Sequence, residues 1–399
     1  MPCSLRTVAA IALAWAIGAA PASAQETPVE FDSWVIPGWT FTPSIGIAGL
    51  WDSNVAIAAD QAEGRTTESD RLFLIHPQGQ IEFRSPRTEF VGGYRGYLRR
   101  YVTVDALNGF DQRGYLSLRH MATRRLTVHA RNEFDDVPST DEIDLNGVPY
   151  ARFGAQTNRF AAGAEYRLTR RSDLAVRYEN TWVDFDNESN LYRGGTMHAV
   201  RSGYSVALTP RTRVGGEYRV RQSNLNNSAR VLWFHDMGGL VEHAITRHVD
   251  LSVAVGYSQV RDPGLAGNRG GLYFRSDLSR QAERALYGVA FERSFAPSFG
   301  FGGSSSAQEL RGYVYMPFRS NRLYVNGNAM WRRTNPLERD ELALDSFIVE
   351  ATAGYGVSRW LRLEAFHRFS RQDSRITGGE INRHRLGLQV VISQPMRIQ

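Results

Sequence analysis

RFAAGAEYRLTRRSDLAVRYENTWVDFDNES, residues 159–189, decides the fold. Phe160, Ala162, Ala164, Tyr166 and Leu168 recur at every second position, with Arg159, Gly163, Glu165 and Arg167 between them. After the turn Arg170-Arg171-Ser172 the alternation resumes, with Leu174, Val176, Tyr178 and Trp182 against Arg177, Glu179 and Thr181. Successive side chains of a strand point to opposite faces, so period two on both sides of a tight turn predicts a hairpin. A helix would scatter these apolar residues around its whole circumference.

The unit recurs along the chain. Leu126, Val128, Ala130 and Phe134 oppose Thr127, His129, Arg131 and Glu133, and Val214, Gly216, Tyr218 and Val220 oppose Arg213, Glu217, Arg219 and Arg221. Leu323, Val325, Ala329 and Trp331 oppose Arg322, Asn326, Asn328 and Arg332; near the end His384, Leu386, Leu388, Val390 and Ile392 oppose Arg383, Arg385, Gly387 and Gln389. Around 231–242 and 311–318 either face could be the outer one.

Connectors of two classes alternate. Short turns fall near Ser85-Pro86-Arg87, Thr123-Arg124, Arg170-Arg171, Pro210-Arg211, Thr246-Arg247, Ala282-Glu283-Arg284, Ser320-Asn321 and Ser358-Arg359. Longer polar connectors centre near Glu63, Leu107, Asp144, Ser189, Asn227, Gly267, Gly303, Arg339 and Gly378. Short periplasmic turns, long extracellular loops and an even strand number characterise bacterial outer-membrane barrels. The count predicts an all-β, transmembrane antiparallel up-and-down β-barrel of about 18 strands, with both termini periplasmic. A soluble β-sandwich or propeller is the alternative, but the long-short alternation does not suit a blade repeat.

The leading residues fit export. Arg6 is a short basic region, residues 8–20 are apolar, and Ala22-Ser23-Ala24 is an A-x-A cleavage site, so 1–24 reads as a signal peptide. The division expected is a periplasmic lead at 25–39, the barrel at 40–393 and a tail at 394–399. Cys3, the one cysteine, lies in the leader, so no disulfide is expected to staple the mature fold. The low mean hydropathy is that of a soluble protein. A barrel wall resolves the conflict, because only alternate residues meet lipid. Glycine (37), tyrosine (17) and phenylalanine (20) suit wall curvature and interfacial girdles. Trp34, Trp39 and Trp51 around the first strand read as interfacial anchors.

Every basic residue is arginine. Removing Arg6 with the leader takes the 47 basic residues to 46 against 41 acids, and the net charge from +6 to +5. These arginines are spread evenly and alternate with acids, so nucleic acid is not an expected partner. With the apolar faces toward lipid, the lumen-lining candidates are Arg95, Arg99, Arg131, Arg159, Glu165, Arg167, Arg177, Glu179, Arg213, Glu217, Arg219, Arg332, Arg362, Arg383 and Arg385. Arg113, Arg119, Arg275, Arg368, Glu89, Glu133 and Glu364 share those faces. Cross-strand arginine–carboxylate ladders would stiffen the wall; an arginine excess would also favour anionic solutes. The segment 137–156 carries Asp141, Glu142 and Asp144 and could fold inward, though its acidic, Pro/Gly-containing composition favours a surface loop.

No catalytic constellation emerges. The nine histidines are scattered, His243 and His248 lack metal-ligand spacing, and no G-x-S-x-G, P-loop or H-E-x-x-H occurs. Asp184, Asp186 and Glu188 alternate at a strand end and could hold calcium, or form a solvated rim. The expectation is no enzyme, no cofactor and no metal.

Trp51-Asp52-Ser53-Asn54-Val55 closes the first strand before a polar connector. This segment and the repeated layout resemble the type 2 β-barrel porin-like family of bacterial outer membranes. The resemblance implies a large outer-membrane barrel, in several members an exit for exopolysaccharide or capsule. It implies as partners outer-membrane lipid and lipopolysaccharide, the barrel assembly machinery and polysaccharide export components. Asp52 and Asn54 could equally shape a turn by bonding the backbone. One departure is that the last strand ends near Ile392, before Gln394-Pro395-Met396-Arg397-Ile398-Gln399, without the usual terminal aromatic. The function expected is a conduit for polymer export, with a general or anion-favouring diffusion porin, or a structural or adhesive barrel with a closed lumen, as alternatives.

Overall fold

The computed structural model describes residues 38–58, 68–188, 192–226, 228–282, 285–318, 322–338, 343–374 and 379–398. The expected leader at 1–24, the lead as far as 37 with Trp34, the connector centres Glu63, Ser189, Asn227, Arg339 and Gly378, and the turn residues Glu283, Arg284, Ser320 and Asn321 lie outside the described residues.

The first strands are β1 Gly38–Asp52, β2 Asp70–Arg84, β3 Thr88–Tyr101, β4 Gly109–Met121, β5 Leu126–Val137 and β6 Ala155–Arg167. Next come β7 Ser172–Phe185, β8 Gly195–Ala207, β9 Thr212–Leu225, β10 Val231–Ala244, β11 Val249–Arg261 and β12 Arg269–Ala282. The wall is completed by β13 Ala285–Pro297, β14 Ser304–Phe318, β15 Leu323–Pro336, β16 Leu344–Gly356, β17 Leu361–Ser374 and β18 Gly379–Ser393. Each pairs antiparallel with its neighbours in sequence, and β1 closes on β18 from Ser44↔Ser393 to Asp52↔Arg385. Closure pairs the strand edges and removes the exposed sheet edge.

The chain end departs from the expected tail. Met396–Ile398 forms a short β19 against Trp39, Thr40 and Phe41. β1 starts below the end of β18, so this short strand extends the seam along β1's first residues.

Alternation sets the outer surface. Ile45, Ile47, Val176, Val200, Val241, Val255, Val289, Leu363 and Leu388 point outward and are exposed. At the short-turn rim stand Trp39, Phe318, Tyr355 and Trp360; at the long-connector rim stand Trp51, Phe73, Phe110 and Trp233. An apolar band between two aromatic rims, on a wall with paired backbone, is what hydrocarbon requires. The strands whose faces were ambiguous are resolved by register: Leu232, Phe234 and Leu240 of β10 are buried inside, with Trp233, Met237 and Val241 outside. The chain is an eighteen-stranded β-barrel of the bacterial outer membrane, its long connectors extracellular.

One place in the wall is irregular. The β12–β13 ladder stops at Phe274↔Arg293, while β13 remains paired with β14 up to Pro297↔Ser304. The end of β13 tucks inside: the Phe295 N–H reaches Ser258 Oγ of β11 at 3.3 Å, and its carbonyl accepts from Arg221 Nη2 at 2.6 Å. The extracellular end of the lumen is thereby narrowed from that side.

Leu388 is 70 % exposed near the middle of its strand. Leu388→Arg should cost about 2–4 kcal/mol, read as a lower urea midpoint for unfolding from liposomes; an unchanged midpoint would place this face away from lipid.

Candidate functional site

Residues 138–154, between β5 and β6, leave the wall and enter the lumen. Ser139, Thr140 and Asp141 are buried completely or nearly so, contrary to the surface loop that composition favours. The loop is braced on itself: Thr140 Oγ1 donates to the Pro149 carbonyl at 2.7 Å and accepts from the Ala151 N–H at 2.7 Å. Its apolar side, Ile143 and Val148, packs with Val137, Phe185, Leu225, Phe234 and Phe299 beneath the extracellular connectors. Gly147 has φ +68°, and a Cβ there would strike Ser298 of the neighbouring inward turn. Only glycine suits both that backbone and that contact.

Its acids reach strands across the barrel. Asp141 accepts from Arg383 Nη1 at 2.9 Å and from Ser370 Oγ at 3.0 Å, while its carbonyl accepts from Arg368 Nη2 at 2.6 Å. Glu142 accepts from Arg385 Nη1 at 2.6 Å and Arg113 Nη2 at 2.9 Å. Asp144 pairs with Arg311 at 2.9 Å and with Arg332, whose Nη1 also donates to the Leu145 carbonyl at 2.8 Å. Gln372 completes the docking, accepting from the Tyr150 N–H at 2.7 Å and donating to the Val148 carbonyl at 3.2 Å. Salt bridges that a low dielectric strengthens thus surround a polar loop.

Arg383 is the hub. It is 1 % exposed and holds Asp52 of β1 through Nη2 at 2.6 Å as well as Asp141. The five residues Trp51, Asp52, Ser53, Asn54 and Val55 therefore have a structural task. Trp51 faces outward at the rim, Asp52 turns inward to Arg383, and Ser53 Oγ accepts from the His384 N–H at 2.8 Å. Asn54 bonds the carbonyl and N–H of Ala58 at 2.8 and 3.0 Å, and Val55 is buried.

The fifteen lumen-lining candidates alternate along their strands with the exposed apolar residues. Most join carboxylates. Arg99 grips Asp111, Arg159 meets Asp135 at 3.0 Å, Arg219 meets Asp236 at 2.8 Å and Arg332 meets Glu309 at 2.5 Å. Arg131 pairs with Glu133, Arg177 with Glu179 at 2.8 Å, Arg213 with Asp173, and Arg362 with Glu364. Glu217 joins Arg275 at 2.7 Å, and Arg95 Nε donates to Gln78 at 2.8 Å. Arg167 and Glu165 lie toward the short-turn mouth, Arg167 3.8 Å from Asp173.

Sequence reading missed Arg201, Arg311, Asp135, Asp236, Glu292 and Glu309, and it put Arg221 on the polar face of its strand without counting it among the lumen candidates. Asp236 and Arg311 sit in the strands whose faces were ambiguous. Arg201 lies in β8 among Ala199, Gly203 and Ser205, where small residues blur the alternation. The pairing register was the missing signal.

Among the described residues, cavities lie on either side of the loop. One of about 290 Å³ is lined by Asp144, Leu145 and Asn146 of the loop and carries nine arginines against six carboxylates. The other, about 210 Å³, is lined by Pro138, Glu142 and Arg152 of the loop, with six arginines against three carboxylates. Among the described residues no group of three His, Cys, Asp or Glu could hold a metal ion. At the rim, Glu188 accepts from Asn226 Nδ2 at 2.7 Å, which ties two connectors together.

No family model matches the chain, and neither does any curated protein. Among solved structures it is similar to OccAB4 of Acinetobacter baumannii, at 9 % identity over 90 % of this chain and 98 % of that one, with TM-score 0.44. OpdQ of Pseudomonas aeruginosa gives 10 % identity, 90 % and 98 % coverage and TM-score 0.43. The ferric citrate transporter FecA in unliganded form gives 11 %, 85 %, 60 % and 0.40. Likeness at these values carries no functional conclusion, and the barrel rests on its own strand register. The porin-like resemblance rests on residues 51–55 and the repeated layout alone.

Burial would raise the loop carboxyls, but the arginines outweigh it. Arg383, Arg385 and Arg368 hold Asp141 below the usual carboxylate range, Arg385 and Arg113 hold Glu142, and Arg311 and Arg332 hold Asp144. Folded values below unfolded ones mean the tethers are complete above the ordinary carboxylate range, about pH 4, and fail only as pH falls through the depressed values. Proteolysis should spare 138–154 from neutrality down to about pH 5, with cutting confined to strong acid. Asp141→Asn should loosen the loop at neutral pH at a cost of up to about 3 kcal/mol. Cutting of the unaltered loop already at about pH 5 would refute the depressed values.

Proposed function

We propose that the barrel is a diffusion channel for small solutes that favours anions. The observation that carries this reading is the loop 138–154 docked across the lumen by Asp141, Glu142 and Asp144. A barrel this wide would otherwise keep an open aqueous interior. With the loop in place, passage is confined to narrow spaces that suit small molecules, and a polysaccharide chain is poorly accommodated. Both spaces carry more arginines than carboxylates, and a low-dielectric wall focuses that excess on the path. Guanidinium groups also bind carboxylate and phosphate oxygens in a matched fork.

Anion preference here resides in the residual charge after pairing. The ladders immobilise most guanidiniums, so they act as fixed charges rather than mobile side chains. This resembles selectivity by rings of charged side chains in pores.

Liposome swelling with the purified barrel tests the proposal. Small organic acid anions should enter faster than neutral sugars of similar size, and long neutral oligosaccharides should be excluded. Equal rates for acids and neutral sugars would refute the anion preference. Loss of surface polymer on deleting the gene, with synthesis intact, would restore the export reading.

A further inference from the structure

Arg201 of β8 is 9 % exposed and lines the larger cavity. Among the described residues it has no hydrogen bond or ion pair, and its Nε is buried without a partner. The ladders place it opposite Arg177 of β7 and opposite Arg219 of β9. Three guanidiniums thus stand side by side on one inner face, where like charges directly opposite one another are destabilising.

The carboxylates nearby are committed to the flanking positions. Arg177 lies 2.8 Å from Glu179. Arg219 holds Asp236 at 2.8 Å and Glu292 at 2.5 Å. Glu217 is engaged by Arg275 at 2.7 Å and by the Tyr273 hydroxyl at 2.5 Å. Arg221, at the next position along the same face as Arg219, likewise has a buried Nε without a hydrogen-bond partner. Arginine cannot relieve this crowding by losing its proton. A neutral water would satisfy the N–H groups but would leave the repulsion in place.

We propose that Arg177, Arg201 and Arg219 form a binding site for a small oxyanion, a carboxylate or a phosphate, inside the larger cavity. The proposal rests on the reading of the barrel as an anion-favouring channel and locates the point where the solute pauses. Arg201 supplies a charge that Glu217 and Glu292 feel at a distance but that no carboxylate among the described residues contacts. A planar guanidinium offers two parallel N–H donors to two acidic oxygens, which a halide cannot use together.

Calorimetric titration of the full barrel in detergent with succinate, inorganic phosphate and chloride provides the test, alongside Arg201→Gln. Succinate or phosphate should bind and chloride should not, the two oxyanions distinguishing a carboxylate site from a phosphate site. Arg201→Gln should weaken the oxyanion about 30-fold. In anion-free buffer this variant should be at least as stable as the parent, because a crowded charge is gone. The oxyanion should then raise the Tm of the parent and not that of the variant. Absence of binding by either oxyanion, equal binding by the two proteins, or a less stable variant in anion-free buffer would overturn the site. Binding that persists while liposomes fail to swell would remove the channel reading and leave the site standing; swelling without binding would do the reverse.

Discussion

A single buried guanidinium joins the two features that define this barrel. Arg383 bonds Asp52 across the seam where β18 closes on β1, and it bonds Asp141 of the loop that fills the lumen. Burying an arginine is costly unless its donors are matched by fixed acceptors. Two carboxylates supply them, one from the wall and one from the loop. Removal of either leaves a charge that cannot be neutralised by deprotonation. Barrel closure and loop docking are therefore linked through one residue, and the seam becomes the anchor of a constriction.

From that anchor the loop continues around the interior. Glu142 and Asp144 engage arginines of β4, β14, β15 and β18, so the tethers come from strands far apart around the wall. Buried ion pairs add little net stability over a well-packed apolar alternative, but they specify geometry, because each misplacement strands a charge. The apolar cluster around Val148, Phe234 and Phe299 supplies the non-directional part of the docking. The inward end of β13 meets the same cluster, with Ser298 Oγ 3.4 Å from the Gly147 carbonyl. Two departures from an ideal barrel thus converge on one packed plug.

The wall was legible because its physics is periodic. Phe160, Tyr166, Val176 and Tyr178 announce their face by alternation, and connectors such as Ser85-Pro86-Arg87 announce the turns. The lumen was legible only as a set of inward positions. Whether Arg383 meets Asp52 depends on the register between strands at opposite ends of the sequence, and no local pattern encodes that. The loop misled for a related reason: Asp141, Glu142 and Asp144 look like solvated surface acids until the arginines facing them are known. Arg201 was hidden because Ala199 and Gly203 weaken the alternation around it, and because only the register shows that no described carboxylate contacts it. At the chain end, Met396 and Ile398 were too few to read as a strand without β1 beside them.

The central claim is that the docked loop, and not the width of the wall, sets the passage. Single-channel conductance of the parent barrel in planar bilayers, compared with a variant lacking residues 140–151, tests this most directly. A severalfold larger conductance for the shortened barrel, with weaker anion preference, is the expected result. Equal conductance in the two proteins would show that the loop does not constrict the path and would contradict the account.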